Sequence, residues 1–179
     1  MYTAKFVVMQ VKKFYDERGT EVINLDFDQD STDMEKCIRH IEDLINVENT
    51  LGKNARPTII VIGALGGRLD HELASLSLLH KYDKMHIVIA NDACMTFLLC
   101  RGMHRIYVDH SCQGPSCGLI PLAGPAIVTT SGLRWNLKDT ELKIGHLVST
   151  SNELVEECIK IHTDQPLLWT CEIKAWNHR

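Results

Sequence analysis

The stretch from Thr58 to Tyr82, TIIVIGALGGRLDHELASLSLLHKY, constrains the fold more than any other part of the chain. Thr58 to Ile62 is a short run rich in β-branched residues and reads as a buried parallel strand. Gly63, Gly66 and Gly67 mark a turn, and the spacing of Leu69, Leu73, Leu76 and Leu79 predicts a helix after it. Strand, glycine turn and helix start together form a geometry that receives phosphates, because unpaired N–H groups and the helix dipole both favour an anion. Arg68 and Asp70 stand at this turn. Guanidinium matches phosphate oxygens, and a carboxylate suits a metal ion. No Gly-Lys-Ser/Thr follows, so the turn is not a Walker A loop, and G-x-G-x-x-G is absent as well. Taken alone, Arg68 also reads as a helix-start ion pair and His71 as a helix-start or interface residue.

Upstream, residues 7–18 predict a helix stopped at Gly19, and residues 21–25 a short strand. Met34, Cys37, Ile38, Ile41, Leu44 and Ile45 follow helical spacing, and Thr32 with Glu35 forms a capping-box pattern ahead of them. The loop before that helix carries Asp26, Asp28, Asp30 and Asp33. These acids can favour the helix N-terminus and solvate the loop, or they can hold magnesium at a strand end. Residues 86–90, HIVIA, predict another buried strand. Strands near 21–25, 58–62 and 86–90 with helices between them indicate a parallel α/β layer, which binds ligands at the C-terminal ends of its strands. Both the acidic loop and the glycine turn lie at such ends.

Beyond Asn91 the texture changes. MTFLLC, RIYVDH, GLIPL, AIVTT, HLVSTS, CIKIH and LLWTCEI read as short strands, with turn signals such as Gly114-Pro115, Gly124-Pro125 and Ser131-Gly132 between them. This predicts an antiparallel sandwich or barrel over 92–179, following an α/β part over 1–91. Three parallel strands make a narrow sheet, so either another chain covers it or an N-terminal portion is missing. Composition narrows the function classes. A net charge of −4 with mixed signs does not suggest a nucleic-acid groove. No apolar run approaches the roughly 18–20 residues that span a bilayer. Seven scattered cysteines without a C-x-x-C read as reduced thiols of a cytosolic protein.

GALGGRLDHELASL, the DQDSTD loop, CGLIPL, TTSGLRWNL, and LVSTSN followed by DQPLLWT occur in one order from about Phe14 to Lys174. Together they resemble the eukaryotic thiamine pyrophosphokinases, and the QGPSCGLIP and LLWT segments are similar to plant members. The resemblance implies a partial Rossmann-like parallel α/β nucleotide-binding domain (1–91) followed by a β-sandwich thiamine-binding domain (92–179). It implies transfer of pyrophosphate from ATP to thiamine, giving thiamine diphosphate and AMP, with Mg2+ required. It further implies a cytosolic homodimer whose active sites are shared between subunits, with no nucleic-acid or membrane partner.

By the same resemblance, Asp33, Arg68 and Asp70 are the catalytic residues, and Gly66, Gly67 and Arg68 bind ATP. Asp30, Asp33 and Asp70 lie near the metal, and Trp135, Ser149 and Ser151 face thiamine. The residue types are apt. Indole offers a flat face to a cationic thiazolium. Ser149 and Ser151 share a strand face at a period of two, where their hydroxyls can read a pyrimidine edge. Without the resemblance, Trp135 reads as a core or sandwich plug and the serines as a solvated strand face. Trp169 reads as core on either view. The family also carries an upstream Gly-Asp-x-Asp-Ser motif whose aspartates ligate magnesium, and MYTAKFVV offers no counterpart. The expectation is therefore a chain lacking the N-terminal part of the nucleotide domain. The alternative function is a catalytically impaired isoform that binds thiamine and dimerises.

Overall fold

The computed structural model describes residues 13–15, 17–19, 23, 25, 27–50, 52 and 56–174. The chain forms two compact units, residues 1–55 and 56–179. In the first, helix α1 spans Asp33–Thr50. Its start follows the capping pattern: Thr32 Oγ1 accepts the Glu35 N–H at 3.2 Å. Of the helix expected over 7–18, residues 13–15 are helical, and its first part lies outside the described residues. Most of the strand expected over 21–25 also lies outside them.

In the second unit, strand β1 (Thr58–Ile62) leads through helix α2 (Leu69–Lys81) to strand β2 (His86–Ala90). The two strands pair in parallel, from Thr58 against His86 to Ile62 against Ala90. This is the strand–helix–strand crossover that the sequence predicts. Leu69 and Leu73 are 69% and 45% exposed, whereas Ser75, Leu78 and Leu79 are buried. At about 3.6 residues per turn, positions 75, 78 and 79 share a stripe that excludes 69 and 73. The row of leucines alone did not fix which stripe would be buried. The buried Ser75 hydroxyl donates to the His71 carbonyl at 2.9 Å, which satisfies it within the helix.

The remaining strands are β3 (Cys94–Leu99), β4 (Gly102–Tyr107), β5 (Gln113–Ile120), β6 (Ala126–Ser131), β7 (Thr140–Leu142), β8 (Ser149–Glu153), β9 (Cys158–Thr163) and β10 (Leu167–Ile173). A six-stranded sheet runs β1-β2-β3-β10-β5-β8, and a four-stranded sheet runs β4-β9-β6-β7. Strand β2 is antiparallel to β3, so the parallel pair continues directly into the antiparallel part of one sheet. All seven strands read from the sequence beyond Asn91 are present. The short β7 was not foreseen, because TEL is too brief to show alternation. Strand β5 begins at Gln113, so Gly114-Pro115 lies inside a strand and not in the turn that the dipeptide suggested.

The two sheets enclose one core. Leu119, Leu167 and Trp169 from the larger sheet meet Val128, Leu142, Ile159 and Ile161 from the smaller. Trp169 is 1% exposed, as its reading as core requires. All seven cysteines are unpaired. Burial pushes the Cys117 thiol up to about 12, so it behaves as an inert core group. The architecture is α/β joined to a β-sandwich. Among the described residues, no helix is long and apolar enough to cross a membrane.

Candidate functional site

The glycine turn sets Arg68 and Asp70 on the surface at the start of α2. Gly66 has φ of +91°, a conformation open to glycine and costly for other residues. Arg68 is the N-cap residue, with extended backbone and no side-chain cap bond. Its Nε and Nη2 donate to Asp70 Oδ1 and Oδ2 at 3.1 and 2.5 Å. Arg68 therefore forms the helix-start ion pair that the residue alone suggested. That hydrogen bond holds the Asp70 carboxyl below the usual carboxylate range and raises Arg68.

The turn N–H groups are already engaged. Gly66 and Gly67 each donate to Glu72 Oε1 at 2.8 Å. The two bonds, Gly67's first, lower the Glu72 carboxyl. The sequence reading overlooked Glu72, although an acid in the first helical turn is a recognised partner for such orphan donors.

In the first unit, the acidic loop is organised around Asp28. Its Oδ1 accepts the Asp30 and Ser31 N–H groups at 3.2 and 3.1 Å, and its Oδ2 accepts the Ser31 hydroxyl at 2.5 Å. Arg39 also donates to Asp28. The Ser31 hydroxyl and then Arg39 hold the Asp28 carboxyl far below the usual range. Asp33 opens α1 and lies 3.9 Å from Lys36. The reading of these acids as loop and helix-start groups thus describes Asp28 well. Asp30 and Asp33, with Asp70 of the second unit, are exposed carboxylates. Their hard oxygen donors are of the type Mg2+ takes. Among the described residues, no three His, Cys, Asp or Glu side chains converge.

Trp135 sits on the loop between β6 and β7, and that loop is bonded to β8. Asn152 holds both main-chain groups of Trp135: its Oδ1 accepts the N–H at 3.1 Å, and its Nδ2 donates to the carbonyl at 2.8 Å. Asn152 is 4% exposed, while Trp135 is 56% exposed, so a buried amide presents an open indole. The reading of Trp135 as a core plug is therefore set aside. Asn136 Oδ1 accepts the Leu133 N–H at 3.1 Å and closes the loop on itself. Arg134 donates to Glu153 Oε2 at 2.6 Å, and its guanidinium carbon lies 5.5 Å from the Trp135 ring centroid. Gly132 (φ +91°) lets the loop pass close to β9, since a Cβ there would meet the Cys158 carbonyl oxygen at 3.0 Å.

Ser149 and Ser151 do not share a face. Ser149 is buried and Ser151 exposed. The pairing of β5 with β8 shifts between Cys117 and Leu119, and Ser151 has φ of +54°. An irregular register breaks the two-residue alternation on which the shared face depended. Burial of Ser149 also excludes a fully solvated strand face. Ser151 lines a shallow groove of about 290 Å³ with Thr150, Ser116, Thr170 and Glu172. A larger cleft of about 490 Å³, by Gly124 and Asp164, includes none of the catalytic, metal, ATP or thiamine candidates.

Two family profiles match this chain. The one described as "Thiamin pyrophosphokinase, catalytic domain" covers residues 7–90, and the one described as "Thiamin pyrophosphokinase, vitamin B1 binding domain" covers residues 103–168. The chain belongs to the thiamine pyrophosphokinase family. It is 46% identical over 167 residues to thiamine pyrophosphokinase 2 of Arabidopsis thaliana, covering 92% of this chain and 61% of that protein. It is 40% identical over 168 residues to thiamine pyrophosphokinase 1 of Oryza sativa subsp. japonica, with coverage of 92% and 62%. The chain thus spans about three fifths of the length of these curated relatives. Among solved structures, the fold is similar to thiamin pyrophosphokinase from Candida albicans, with a TM-score of 0.76 and 22% identity over 92% of this chain and 70% of that one. The yeast enzyme matches with a TM-score of 0.72 and 22% identity, covering 92% and 66%.

Proposed function

We propose that this chain transfers the pyrophosphoryl group of ATP to thiamine, forming thiamine diphosphate and AMP. The observation that carries the reading is Trp135. A large, exposed indole is held through its own backbone by a buried asparagine, so an apolar platform is fixed before any ligand arrives. Such a platform suits a flat cationic ring, because the indole face attracts cations and stacks with little ordering cost. The exposed Ser151 hydroxyl offers a polar contact for the aminopyrimidine. Ser149 is buried and outside the lining of the groove that holds Ser151, so the polar contact is assigned to Ser151 alone. Residues 92–179 are read as the thiamine-binding domain and residues 1–91 as the nucleotide-binding one.

On the nucleotide side, Arg68 presents a guanidinium at the glycine turn, and Gly66 and Gly67 shape the turn close to the phosphates. In the reaction, the hydroxyethyl oxygen of thiamine bonds to the β-phosphorus of ATP and its proton is released to solvent. The bond from that phosphorus to the oxygen shared with the α-phosphorus breaks, and AMP leaves with that oxygen. Such a transfer depends on alignment and charge neutralisation more than on covalent help from the protein. Arg68 supplies a positive charge and Trp135 orients the acceptor. Mg2+ would neutralise phosphate charge when bound. Asp30, Asp33 and Asp70 carry carboxylate oxygens of the type that takes it, a reading that rests on the resemblance of their motifs. The same reading makes the protein a cytosolic homodimer with active sites shared between subunits, supported by the resemblance of its motifs.

The test is product analysis of the purified chain with thiamine, ATP and Mg2+. Equimolar AMP and thiamine diphosphate are expected. Release of ADP, or no product at all, contradicts the proposal. Absent product with retained thiamine binding would instead identify a thiamine-binding module.

A further inference from the structure

We propose that Glu72 is a positioning residue for the nucleotide half of the site: its carboxylate clamps the glycine turn and so holds the Arg68–Asp70 pair in place for the phosphates. This inference rests on the functional reading above for the identity of the ligand, and on the structure for the clamp. One oxygen, Glu72 Oε1, accepts the N–H groups of both Gly66 and Gly67 at 2.8 Å. Consecutive N–H groups converging on one oxygen form an anion-binding concavity, and here the anion is part of the protein. Arg68 follows Gly67 directly, and its carbonyl accepts the His71 and Glu72 N–H groups at 3.1 Å each. The residue that bears the guanidinium is thus fixed on both sides. Glu72 grips the two residues before it by side chain and bonds to Arg68 itself by backbone.

The consequence for phosphate binding is specific. A phosphate seated on the Gly66 and Gly67 N–H groups would have to displace a carboxylate that already makes two charge-assisted bonds. With Glu72 in place, the cationic group presented at the turn is the Arg68 guanidinium. Asp70 pairs with it, accepting from Nε and Nη2. The glycines then act by conformation, with Glu72 as the anion that stabilises it. A place-holder that leaves when phosphate arrives is the opposing view, and the two differ in the sign of one mutant effect.

The experiment compares the full chain with its Glu72→Gln and Glu72→Ala variants. The glutamine oxygen can still accept both N–H groups, whereas alanine cannot. With the clamp, Glu72→Ala lowers kcat/KM for ATP by about 10- to 100-fold, the scale of a displaced positioning group. KM for thiamine is unchanged, and Glu72→Gln restores most of the loss. Amide exchange at Gly66 and Gly67 is slow in the native chain and in Glu72→Gln, and fast in Glu72→Ala. Improved or unchanged ATP kinetics in Glu72→Ala would overturn the proposal, as would exchange at the two glycines that does not respond to the substitution. A native chain that forms no thiamine diphosphate would sink the functional reading. The exchange data, with the Arg68 Nε–H resonance shifting in Glu72→Ala but not in Glu72→Gln, would still decide for or against the clamp.

Discussion

The glycine turn and the Trp135 loop both place in solvent a side chain proposed to meet substrate, but they hold it by different means. Arg68 is positioned by partners within a few residues: Asp70, Glu72 and the first turn of its own helix. Trp135 is positioned from a distance in sequence, by Asn152 on β8 and by Glu153 through Arg134. Beneath that loop lies the sandwich core. The difference teaches where each group is vulnerable. A locally held group survives damage to the core but yields to a change in its own turn. A group held by long-range contacts inherits the stability of the sheets.

Substitutions can break or sharpen that contrast. The largest effect is expected from Trp169→Ala, which removes a buried aromatic from between the sheets and costs about 3–5 kcal/mol. Urea unfolding measures it, and a cost below that of an ordinary surface change would refute the core assignment. Next is Asn152→Ala. Loss of the amide strands the Trp135 N–H and carbonyl together, for about 2–3 kcal/mol. Thiamine affinity should fall with it, because the indole loses its support.

Arg68→Ala should change stability by within about 0.5 kcal/mol, since an exposed ion pair contributes little. Its effect is expected in the KM for ATP, with thiamine binding unaltered. A matching loss of both would erase the division between the two regions. The smallest effect is in acid. The folded-state carboxyls of Glu72 and Asp70 are lowered, so their stabilising bonds are complete above the unfolded values of 4.5 and 3.8. Those bonds are lost as pH falls through the lowered folded values. Proton exchange at Gly66 and Gly67 should therefore lose protection in that range.

Much of this was legible in the sequence where the signal is local. The β-branched run at 58–62 marks a parallel strand but not its burial, since Ile60 and Ile62 are 65% and 81% exposed; the Thr32 cap and the turn-separated strands beyond Asn91 follow from short-range chemistry. So did Arg68 and Asp70, whose neighbours are also their partners. What could not be read depends on contacts made across the sheets. The buried face of α2 is set by packing, because four leucines mark a helix without saying which stripe meets the sheet. Ser149 and Ser151 were placed on one face because an irregular register leaves no trace in STSNE. Asn152 was visible in LVSTSN, but its grip on a tryptophan 17 residues upstream emerges with the pairing of the loop to β8. Glu72 could have been found by asking which anion satisfies the orphan N–H groups of the turn.

The division of labour between the two regions has one direct measurement: calorimetric titration of thiamine into the native chain and into Trp135→Ala. The account predicts a saturable heat for the native chain and an affinity weaker by about tenfold or more in the variant, equivalent to losing about 1.4 kcal/mol of ring contact. The unfolding midpoint of the variant should stay close to native. Equal affinity in both chains would contradict the account, because the exposed indole would then have no part in holding the substrate.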